Sequence, residues 1–410
     1  MRRKFGVMLA ACAMAGASVV STQTATAETL GSELGSYIVV LEDGVDAASV
    51  AQQQVGALGG IVGHVYGSAL SGYSAQLTDA ARDRLATYPA VDYIQADTPV
   101  RATQTMPTGI DRTDAEQSPT AAIDGSDERV DVDVAVIDTG ADMDHPDLNV
   151  YEEGAKNCST LSLSPEDENG HGTHVAGTIG ALDDASGVVG MAPGARIWPV
   201  KVLNALGMGL TSDVICGIDY VAAHSDEIEV ANMSLGGSGS DDGNCGEDNN
   251  DAQHAAICNA VDAGVTFVVA AGNDSADARE TVPAAYDEVI TVSALADFDG
   301  QPGGRAAPTC RDDVDDTFAD FSNYGDDIDV IAPGVCIEST SLGGGYETLS
   351  GTSMASPHAA GAAALYQANN PAASPEQVKR ALQNAGTTDW TFPSEDRDGI
   401  QEMLVNVAGF

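Results

Sequence analysis

Basic side chains, aromatic rings and paired cysteine motifs are all scarce in this chain of 410 residues. Lys and Arg together number 17 against 62 Asp and Glu, which gives a formal net charge of −45 at pH 7. A surface this negative repels nucleic acids and anionic membranes, so we exclude both as partners. No CxxC pair occurs, which argues against a zinc site built from thiolates. The excess of carboxylates instead favours a salt-tolerant surface that offers oxygen ligands to calcium.

The first 27 residues have the pattern of an export signal. A basic start at Arg2–Lys4 is followed by the apolar stretch Phe5–Val20 and by the small residues Ala25–Ala27. The apolar stretch is shorter than a membrane span needs, so we expect its removal and a secreted, extracellular protein. The alternative is a lipoprotein anchored through Cys12, against which the continuation of the apolar run argues.

Removal of the signal leaves six of the seven cysteines, an even number in an oxidising compartment. Sequence alone does not fix how six cysteines pair. We expect a bond between Cys245 and Cys258 across a short acidic loop, and a second between Cys310 and Cys336. Two outcomes stay open for the remaining two cysteines, a third bond or free thiols: Cys158 and Cys216.

Two regions with different patterns follow the signal. Between Tyr37 and Gln95 the apolar periodicity predicts the order β-α-β-β-α-β, which is typical of a small ferredoxin-like α+β domain. A polar connector runs from Ala96 to about Thr105. Beyond it, near-continuous apolar strands alternate with helices, which predicts an α/β fold of three layers with a mostly parallel central sheet. The predicted strands are Val132–Ile137, Ile197–Val202, Glu229–Leu235, Thr266–Ala271, Glu288–Val292 and Ile328–Ile331, and the predicted helices span 171–181, 211–224 and 251–263.

Three motifs place candidate functional side chains where ligands bind in parallel sheets, at the carboxyl ends of strands. Asp138 ends the strand of the motif VAVIDTG, His171 lies in NGHGTHVAG, and Ser353 lies in LSGTSMASPH ahead of an Ala-rich helix. Each has a structural alternative, since Asp commonly forms turns and Ser commonly caps helices. We interpret the second histidine of its motif, His174, as structural.

These three motifs, in the order Asp, His, Ser on a predicted parallel sheet, resemble the subtilisin family (peptidase S8). The resemblance runs from about Gln104 to the end of the sequence. It implies that Ser353 is the nucleophile, that His171 is its general base and that Asp138 orients the imidazole. It also implies that Asn273, which follows the strand FVVAAG, pairs with the Ser353 N–H in binding the oxyanion.

The same resemblance implies a cleft that binds substrate as an added strand. Its two flanking segments are Gly207-Met208-Gly209 and Ser234-Leu235-Gly236, and Ala270-Ala271-Gly272 lines the primary pocket. Because these walls are small and apolar, we expect broad specificity with a preference for an apolar or aromatic residue before the scissile bond. Acidic insertions at 236–250 and 301–316 depart from the family pattern.

Structural calcium is also implied by the resemblance, through a loop of matching length after the His171 helix. The implied ligands are the side chains of Gln104, Asp147 and Asp184 and the backbone carbonyls of Leu182, Ser186 and Val188. A second calcium site is implied at Asp329 with the carbonyls of Asp287 and Val289.

The sequence thus predicts a signal peptide at 1–27, an inhibitory propeptide resembling inhibitor I9 at 28–103 and a catalytic domain at 104–410. The propeptide is expected to act as an intramolecular inhibitor, with Asp97–Thr103 lying in the active site and self-cleavage near Thr103. We expect a monomeric serine endopeptidase that acts on proteins or peptides through an acyl-enzyme. A binding protein that kept a protease scaffold is the rival from another class, and a narrow processing protease is a third hypothesis.

Overall fold

The computed structural model describes residues 34–42, 44–98, 104–160, 162–391 and 398–410. The predicted signal peptide, Cys12 and the predicted cleavage point near Thr103 lie outside these ranges. The chain divides into two compact units, Met1–Val100 and Arg101–Phe410. Within the described ranges, no helix combines the length and apolar character that crossing a membrane requires.

The smaller unit is the α+β domain that the sequence predicts. Its elements are β1 (Gly35–Leu41), α1 (Ala47–Gly56), β2 (Ile61–Tyr66), β3 (Gly72–Leu77), α2 (Asp79–Leu85) and β4 (Val91–Ala96). The strands form an antiparallel sheet in the order β2-β3-β1-β4. Alternate residues of β1, Tyr37, Val39 and Leu41, are buried with Ala51 and Val55 of α1, so one face of the sheet packs on the helices.

The larger unit contains the remaining elements. They are α3 (Thr108–Arg112), β5 (Asp133–Asp138), β6 (Lys156–Asn157), α4 (His171–Gly180), β7 (Arg196–Lys201), α5 (Thr211–Ala223), β8 (Val230–Met233), β9 (Gly237–Ser238), α6 (Ala252–Asp262), β10 (Thr266–Ala270), β11 (Thr281–Val282), β12 (Ile290–Ala296), β13 (Thr317–Phe318), β14 (Val330–Pro333), β15 (Ile337–Ser341), β16 (Gly345–Leu349), α7 (Thr352–Asn369) and α8 (Pro375–Ala385). Short 3-10 helices lie at Ala115–Gln117, Glu152–Gly154 and Ala278–Glu280.

A sheet of eight strands forms the centre of this unit. Its order is β13-β12-β10-β8-β5-β7-β6, with β14 beside β12, and every pairing is parallel except that of β12 with β13. Val134 and Val136 of β5 are buried in one core with residues of α4, α7 and α8. Ala135 and Ile137 are buried in a second core with residues of α5 and α6. Alternate side chains of one strand therefore enter two cores, and the predicted three-layer fold is confirmed.

Three disulfide bonds link parts of the larger unit. Both predicted pairs form, Cys245 with Cys258 and Cys310 with Cys336. The pair that the sequence left open, Cys158 and Cys216, also forms a bond. Cys245 lies in the first acidic insertion and Cys310 in the second, so the two predicted pairs tie both insertions covalently to the folded unit.

Candidate active site

Three elements bring the predicted Asp, His and Ser to the carboxyl edge of the sheet. Asp138 is the last residue of β5, His171 is the first residue of α4, and Ser353 lies in the first turn of α7. The N-cap of α7 is Gly351, so Ser353 does not have the capping role that was its structural alternative. His174 is buried one turn along α4 and its Nε2 contacts the Ile337 carbonyl at 3.0 Å, in keeping with a structural histidine.

Asp138 and His171 are directly bonded. His171 Nδ1 lies 2.8 Å from Asp138 Oδ1, and the carboxylate is fully buried while the ring is 26% exposed. Thr139 N also donates to Asp138 Oδ1 at 2.7 Å. Burial of the ring disfavours the imidazolium, but the charge and hydrogen bond of Asp138 outweigh it, so the pKa of His171 is raised.

Glycine allows the close approach of α4 to the end of β5. A Cβ at Gly172 would lie 2.1 Å from the Gly140 carbonyl oxygen, a distance that no side chain tolerates. Gly172 N donates to Thr139 Oγ1 at 2.8 Å, which fixes the start of the helix on the strand end. The glycine that follows His171 in the motif therefore holds the imidazole beside Asp138.

Ser353 is tied to the segment after β8. Its Oγ donates to the Ser234 carbonyl at 3.3 Å, and its own carbonyl accepts from Ser234 Oγ at 2.8 Å. Asn232 Nδ2 donates in turn to Ser234 Oγ at 2.9 Å. The backbone of the predicted nucleophile is therefore anchored from the neighbouring strand, and its long Oγ contact leaves the hydroxyl free to rotate to another acceptor.

Asn273 presents its side-chain amide to the same place. Its Oδ1 accepts from Thr352 N at 2.9 Å and from Thr352 Oγ1 at 3.0 Å, and Gly272 N donates to Thr352 Oγ1 at 3.1 Å. Because the carbonyl end of the amide is held by Thr352, the NH₂ end is the one available to a ligand. The residue next to Ser353 thus fixes which end of Asn273 faces outward.

A cleft of about 350 Å³ lies beside Ser353. Its lining is Ser234, Leu235, Gly236, Gly237, Ser238, Ala270, Gly272, Asn273, Asp274, Thr281, Thr352 and Ser353. This set contains the predicted pocket residues Ser234, Leu235, Gly236, Ala270 and Gly272, but the segment Gly207–Gly209 is not among them. Five lining residues were not predicted as part of the site: Gly237, Ser238, Asp274, Thr281 and Thr352. Thr281 reaches the cleft because β11 pairs with β9, a contact of two residues that leaves no periodic signal in the sequence.

The residues predicted to hold calcium also come together. Gln104 Nε2 donates to the carbonyls of Leu182 at 2.6 Å and Val188 at 3.0 Å, and Asp147 Oδ2 accepts from Val188 N at 3.0 Å. Turning the Gln104 amide by half a rotation would put its oxygen beside two carbonyl oxygens, an arrangement that suits a hard cation. Asp184 and Ser186 bond to each other on the same loop, with 2.6 Å between Oδ1 and Oγ. The donor set fits calcium.

The second predicted calcium site is wrong, because a lysine fills it. Lys379 Nζ lies 2.8 Å from the Val289 carbonyl, 3.1 Å from the Asp287 carbonyl and 2.9 Å from Asp329 Oδ1. These are the three groups that were expected to bind the ion. Ser374 caps α8, which begins at Pro375 and so directs Lys379 toward the sheet one turn later. One ammonium therefore supplies the positive charge at this position.

Replacing Lys379 by methionine should destabilise the protein by about 3 kcal/mol, because it leaves the Asp329 carboxylate without its cation at a site where the two side chains are only 18% and 12% exposed. Added calcium should then restore part of that loss by occupying the vacated oxygens. Arg380→Met is the matched control, since Arg380 is 60% exposed and should change stability by less than about 0.5 kcal/mol. Thermal unfolding with and without calcium measures both effects. An equal gain from calcium in all three proteins would contradict this prediction.

A buried carboxylate, an imidazole and a serine hydroxyl at the carboxyl edge of a helix-covered parallel sheet define the class of α/β serine peptidases. The family model described as "Subtilase family" (Peptidase S8) matches residues 130–403, and the model described as "Peptidase inhibitor I9" matches residues 36–103. The chain therefore belongs to the subtilase family and is a subtilisin-like serine endopeptidase with an inhibitor I9 domain before its peptidase domain.

Curated relatives and a solved structure agree with this assignment. The chain is 37% identical over 316 residues to "Alkaline protease" of Alkalihalobacillus alcalophilus, which covers 77% of this chain and 74% of the relative. It is 35% identical over 373 residues to "Subtilisin E" of Bacillus subtilis (strain 168), covering 90% and 89%. The crystal structure of a cold adapted subtilisin-like serine proteinase matches with a TM-score of 0.52 at 33% identity, over 67% of this chain and 88% of that chain.

Proposed function

We propose that this protein hydrolyses peptide bonds through an acyl-enzyme at Ser353. The observation that carries the proposal is the 2.8 Å bond between Asp138 and His171 at the sheet edge that also holds Ser353. A serine hydroxyl is a poor nucleophile at neutral pH and needs an adjacent base. His171 accepts the Ser353 proton as the hydroxyl attacks the substrate carbonyl, and then delivers it to the leaving amine. Asp138 holds the imidazole in the required tautomer and stabilises its charged form.

The order of steps requires a small movement of the nucleophile. Ser353 Oγ is bonded to the Ser234 carbonyl at 3.3 Å, a long contact. Catalytic hydrogen bonds are often long without substrate and shorten when it binds. In the proposed mechanism the hydroxyl leaves this carbonyl and donates instead to the His171 imidazole. Water then enters after the amine leaves, and the same base activates it to release the acid product.

The direct experiment is covalent labelling. Phenylmethanesulfonyl fluoride sulfonylates activated serines, so we expect one adduct, located on Ser353 by mass spectrometry of peptides. Ser238 is a good internal comparison because it lines the same cleft but is not part of the predicted triad. Labelling that is absent from Ser353, or equal at Ser238, would refute the proposed nucleophile.

Asn273 is the proposed side-chain donor to the oxyanion. Replacing it by alanine should lower kcat by about 100- to 1,000-fold, a magnitude established for the equivalent donor within this family. KM should change little, because the donor acts mainly on charge that develops in the transition state. Steady-state kinetics on one peptide separates the two constants. A rise in KM with unchanged kcat would place Asn273 in ground-state binding instead.

Substrate preference is proposed to be broad, with an apolar or aromatic residue before the scissile bond. Support comes from Leu235 and Ala270 in the cleft wall, while Asp274 adds a negative charge that disfavours acidic residues. A peptide series that varies only this residue should give kcat/KM values about 10- to 100-fold higher for Phe or Leu than for Asp. Equal values across the series would refute the preference.

Secretion and self-processing are proposed from the domain order. The inhibitor I9 domain precedes the peptidase domain. This order supports the proposal that it is a propeptide, which inhibits the active site of the same chain until cleavage near Thr103. A relative from Thermus sp. (strain Rt41A) is named "Extracellular serine proteinase" and is 39% identical over 341 residues. Intact mass of the protein recovered from culture medium tests export and cleavage together; a lipid mass on Cys12 would indicate the lipoprotein alternative.

Calcium is proposed as a structural cofactor held by Gln104, Asp147, Asp184 and the carbonyls of Leu182, Ser186 and Val188. When bound, the ion would supply positive charge that joins the Asp147 turn to the loop after α4. Chelation should lower the unfolding temperature, and Asp184→Asn should reduce that sensitivity because it removes a charged ligand. Asp226, exposed in the segment between α5 and β8 and no member of this ligand set, serves as the control when changed to Asn. Equal sensitivity in both variants would contradict this ligand set.

A further inference from the structure

The residue that carries the proposed oxyanion donor lies outside any regular element. β10 ends at Ala270, and Asn273 projects from the following segment, residues 271–276, which we call the Asn273 turn. Ala271 N still donates to the Val292 carbonyl of β12 at 3.0 Å. Beyond that residue the turn belongs to neither helix nor strand. Its backbone groups therefore need partners other than the sheet.

Asn323, which lies between β13 and β14, supplies several of those partners through its side-chain amide. Its Nδ2 donates to the Ala271 carbonyl at 2.9 Å. Its Oδ1 accepts from Asp274 N at 3.0 Å and from Ala276 N at 3.1 Å. One asparagine therefore bonds to backbone groups on both sides of Asn273.

A glycine in the turn allows this asparagine to come close. Asn323 N donates to the Gly272 carbonyl at 2.9 Å. Gly272 has a φ of +107°, and a Cβ at this residue would lie 2.4 Å from Asn323 Nδ2. Glycine is therefore required both by the backbone conformation and by the approach of the asparagine amide.

The partners of Asn323 also determine which end of its amide is the oxygen. Two backbone N–H groups require an acceptor at one end, and the Ala271 carbonyl requires a donor at the other. Exchanging the oxygen and the nitrogen would set donor against donor and acceptor against acceptor. Because the side chain is 0% exposed, its removal takes away a partner of three backbone groups at once.

Two sets of contacts therefore define where the Asn273 amide lies. Thr352 holds the carbonyl end of that side chain, at 2.9 Å from its N and 3.0 Å from its Oγ1. Asn323 holds the backbone from which the side chain projects. An oxyanion donor stabilises the transition state only within hydrogen-bond distance of the developing charge. A small displacement of this backbone should therefore lower the rate strongly.

We propose that Asn323 is a positioning residue for the oxyanion donor and acts on the reaction through Asn273. This inference rests on the proposed function, in which the Asn273 amide stabilises the oxyanion. In this role Asn323 touches no reacting atom: its amide bonds to the Asn273 turn and, at 3.3 Å, to Thr281 Oγ1. Its loss should therefore lower kcat and leave KM nearly unchanged, because Asn273 acts on charge that develops in the transition state.

The test is a double-mutant cycle on kcat between Asn323 and Asn273. Asn323→Ala should lower kcat by about 10- to 100-fold in the parent, but by less than about threefold in Asn273→Ala, where the group that it positions is already absent. We express kcat per Ser353 that phenylmethanesulfonyl fluoride labels, so that unfolded or unprocessed chains are not counted. Asn406→Ala is the matched control, because Asn406 also donates through Nδ2 and accepts a backbone N–H through Oδ1, but with partners in other segments.

A loss of kcat that is confined to the parent background, with unchanged KM and no loss in Asn406→Ala, supports the positioning role. The same fold loss in both backgrounds, an unchanged kcat, a rise in KM alone or an equal loss in Asn406→Ala overturns it. If the alanine variant does not fold, Asn323→Asp serves in the same cycle, since it keeps the acceptor for the two backbone amides and removes the donor to the Ala271 carbonyl. Full kcat in Asn273→Ala would instead refute the proposed oxyanion donor, which is a separate failure.

Discussion

Ser353→Ala should lower kcat by about 2,000,000-fold, the loss established for the nucleophile within this family. The substitution removes only the Oγ atom, which is the atom proposed to form the acyl bond. A residual rate of about 1,000- to 10,000-fold over the uncatalysed reaction remains, because the oxyanion donors and the cleft still bind the transition state. The chain should also stay at precursor mass, since self-cleavage requires the same hydroxyl. Peptide hydrolysis and intact mass measure the two effects on one sample.

Ser238→Ala is the control for this change. Ser238 lines the same cleft, is exposed and follows Ser234 by four residues, but it is not one of the predicted triad residues. We expect a change in kcat of less than about threefold, as for surface substitutions away from the reacting atoms. If Ser353→Ala and Ser238→Ala retained similar turnover, Ser353 would not be the nucleophile. If the wild-type protein hydrolysed the peptide while remaining at precursor mass, the peptidase activity would not depend on self-processing.

Much of the architecture could be predicted because its cause is local. Continuous apolar runs such as Val134–Ile137 and Phe267–Ala270 are buried on both faces, a pattern typical of strands in a covered parallel sheet. The ends of predicted strands differ from the observed ends where polar residues begin or end an apolar run. The strand expected at Glu288–Val292, for example, is observed at Ile290–Ala296. Asp287 and Glu288 lie before it because their backbone groups and side chains have other partners.

The positions of the candidate site residues were predictable where residues within one motif determine the local backbone conformation. Glycines flank His171 and allow its helix to approach the end of β5 closely, and Gly351 is the N-cap of the helix that carries Ser353. The local motif therefore fixes the positions of His171 and Ser353. Contacts between distant segments left no such signal. The bond between Cys158 and Cys216 joins residues 58 apart in sequence, and Lys379 reaches Val289 from a helix that follows the whole sheet. A cation supplied by the chain itself cannot be distinguished by sequence from an exposed lysine.

Some of the excess carboxylates have a structural role that the composition alone does not reveal, because they accept hydrogen bonds from backbone amides in loops. Asp242 of the first insertion accepts from four backbone amides, those of Asn244, Gly246, Asp248 and Asn249. These bonds are the main opposition to its burial and lower the pKa of Asp242 to about 2. Many carboxylates of this chain therefore organise loops through amide donors.

Asp138→Asn should lower kcat by about 10,000-fold and also move its pH dependence. The amide is nearly isosteric, but its NH₂ can donate to His171 Nδ1, which then leaves the proton on Nε2, where the base must be free. The charge of Asp138 is also the main cause that raises the pKa of His171 against burial. Without that charge, burial dominates and the pKa falls.

The direction of the pH effect follows from the role of the base. The proposed mechanism needs neutral His171, so kcat of the parent should rise as pH rises through the raised pKa of His171. In Asp138→Asn the residual kcat should reach its plateau at a lower pH than in the parent. Asp144→Asn is the control, because Asp144 is an exposed carboxylate that follows β5 in the chain. We expect this substitution to change neither kcat nor the pH dependence of kcat. The measurement is kcat against pH for all three proteins. An unchanged acidic limb in Asp138→Asn, with or without a loss of rate, would show that Asp138 does not set the charge state of His171 and would leave the carboxylate with a purely structural role.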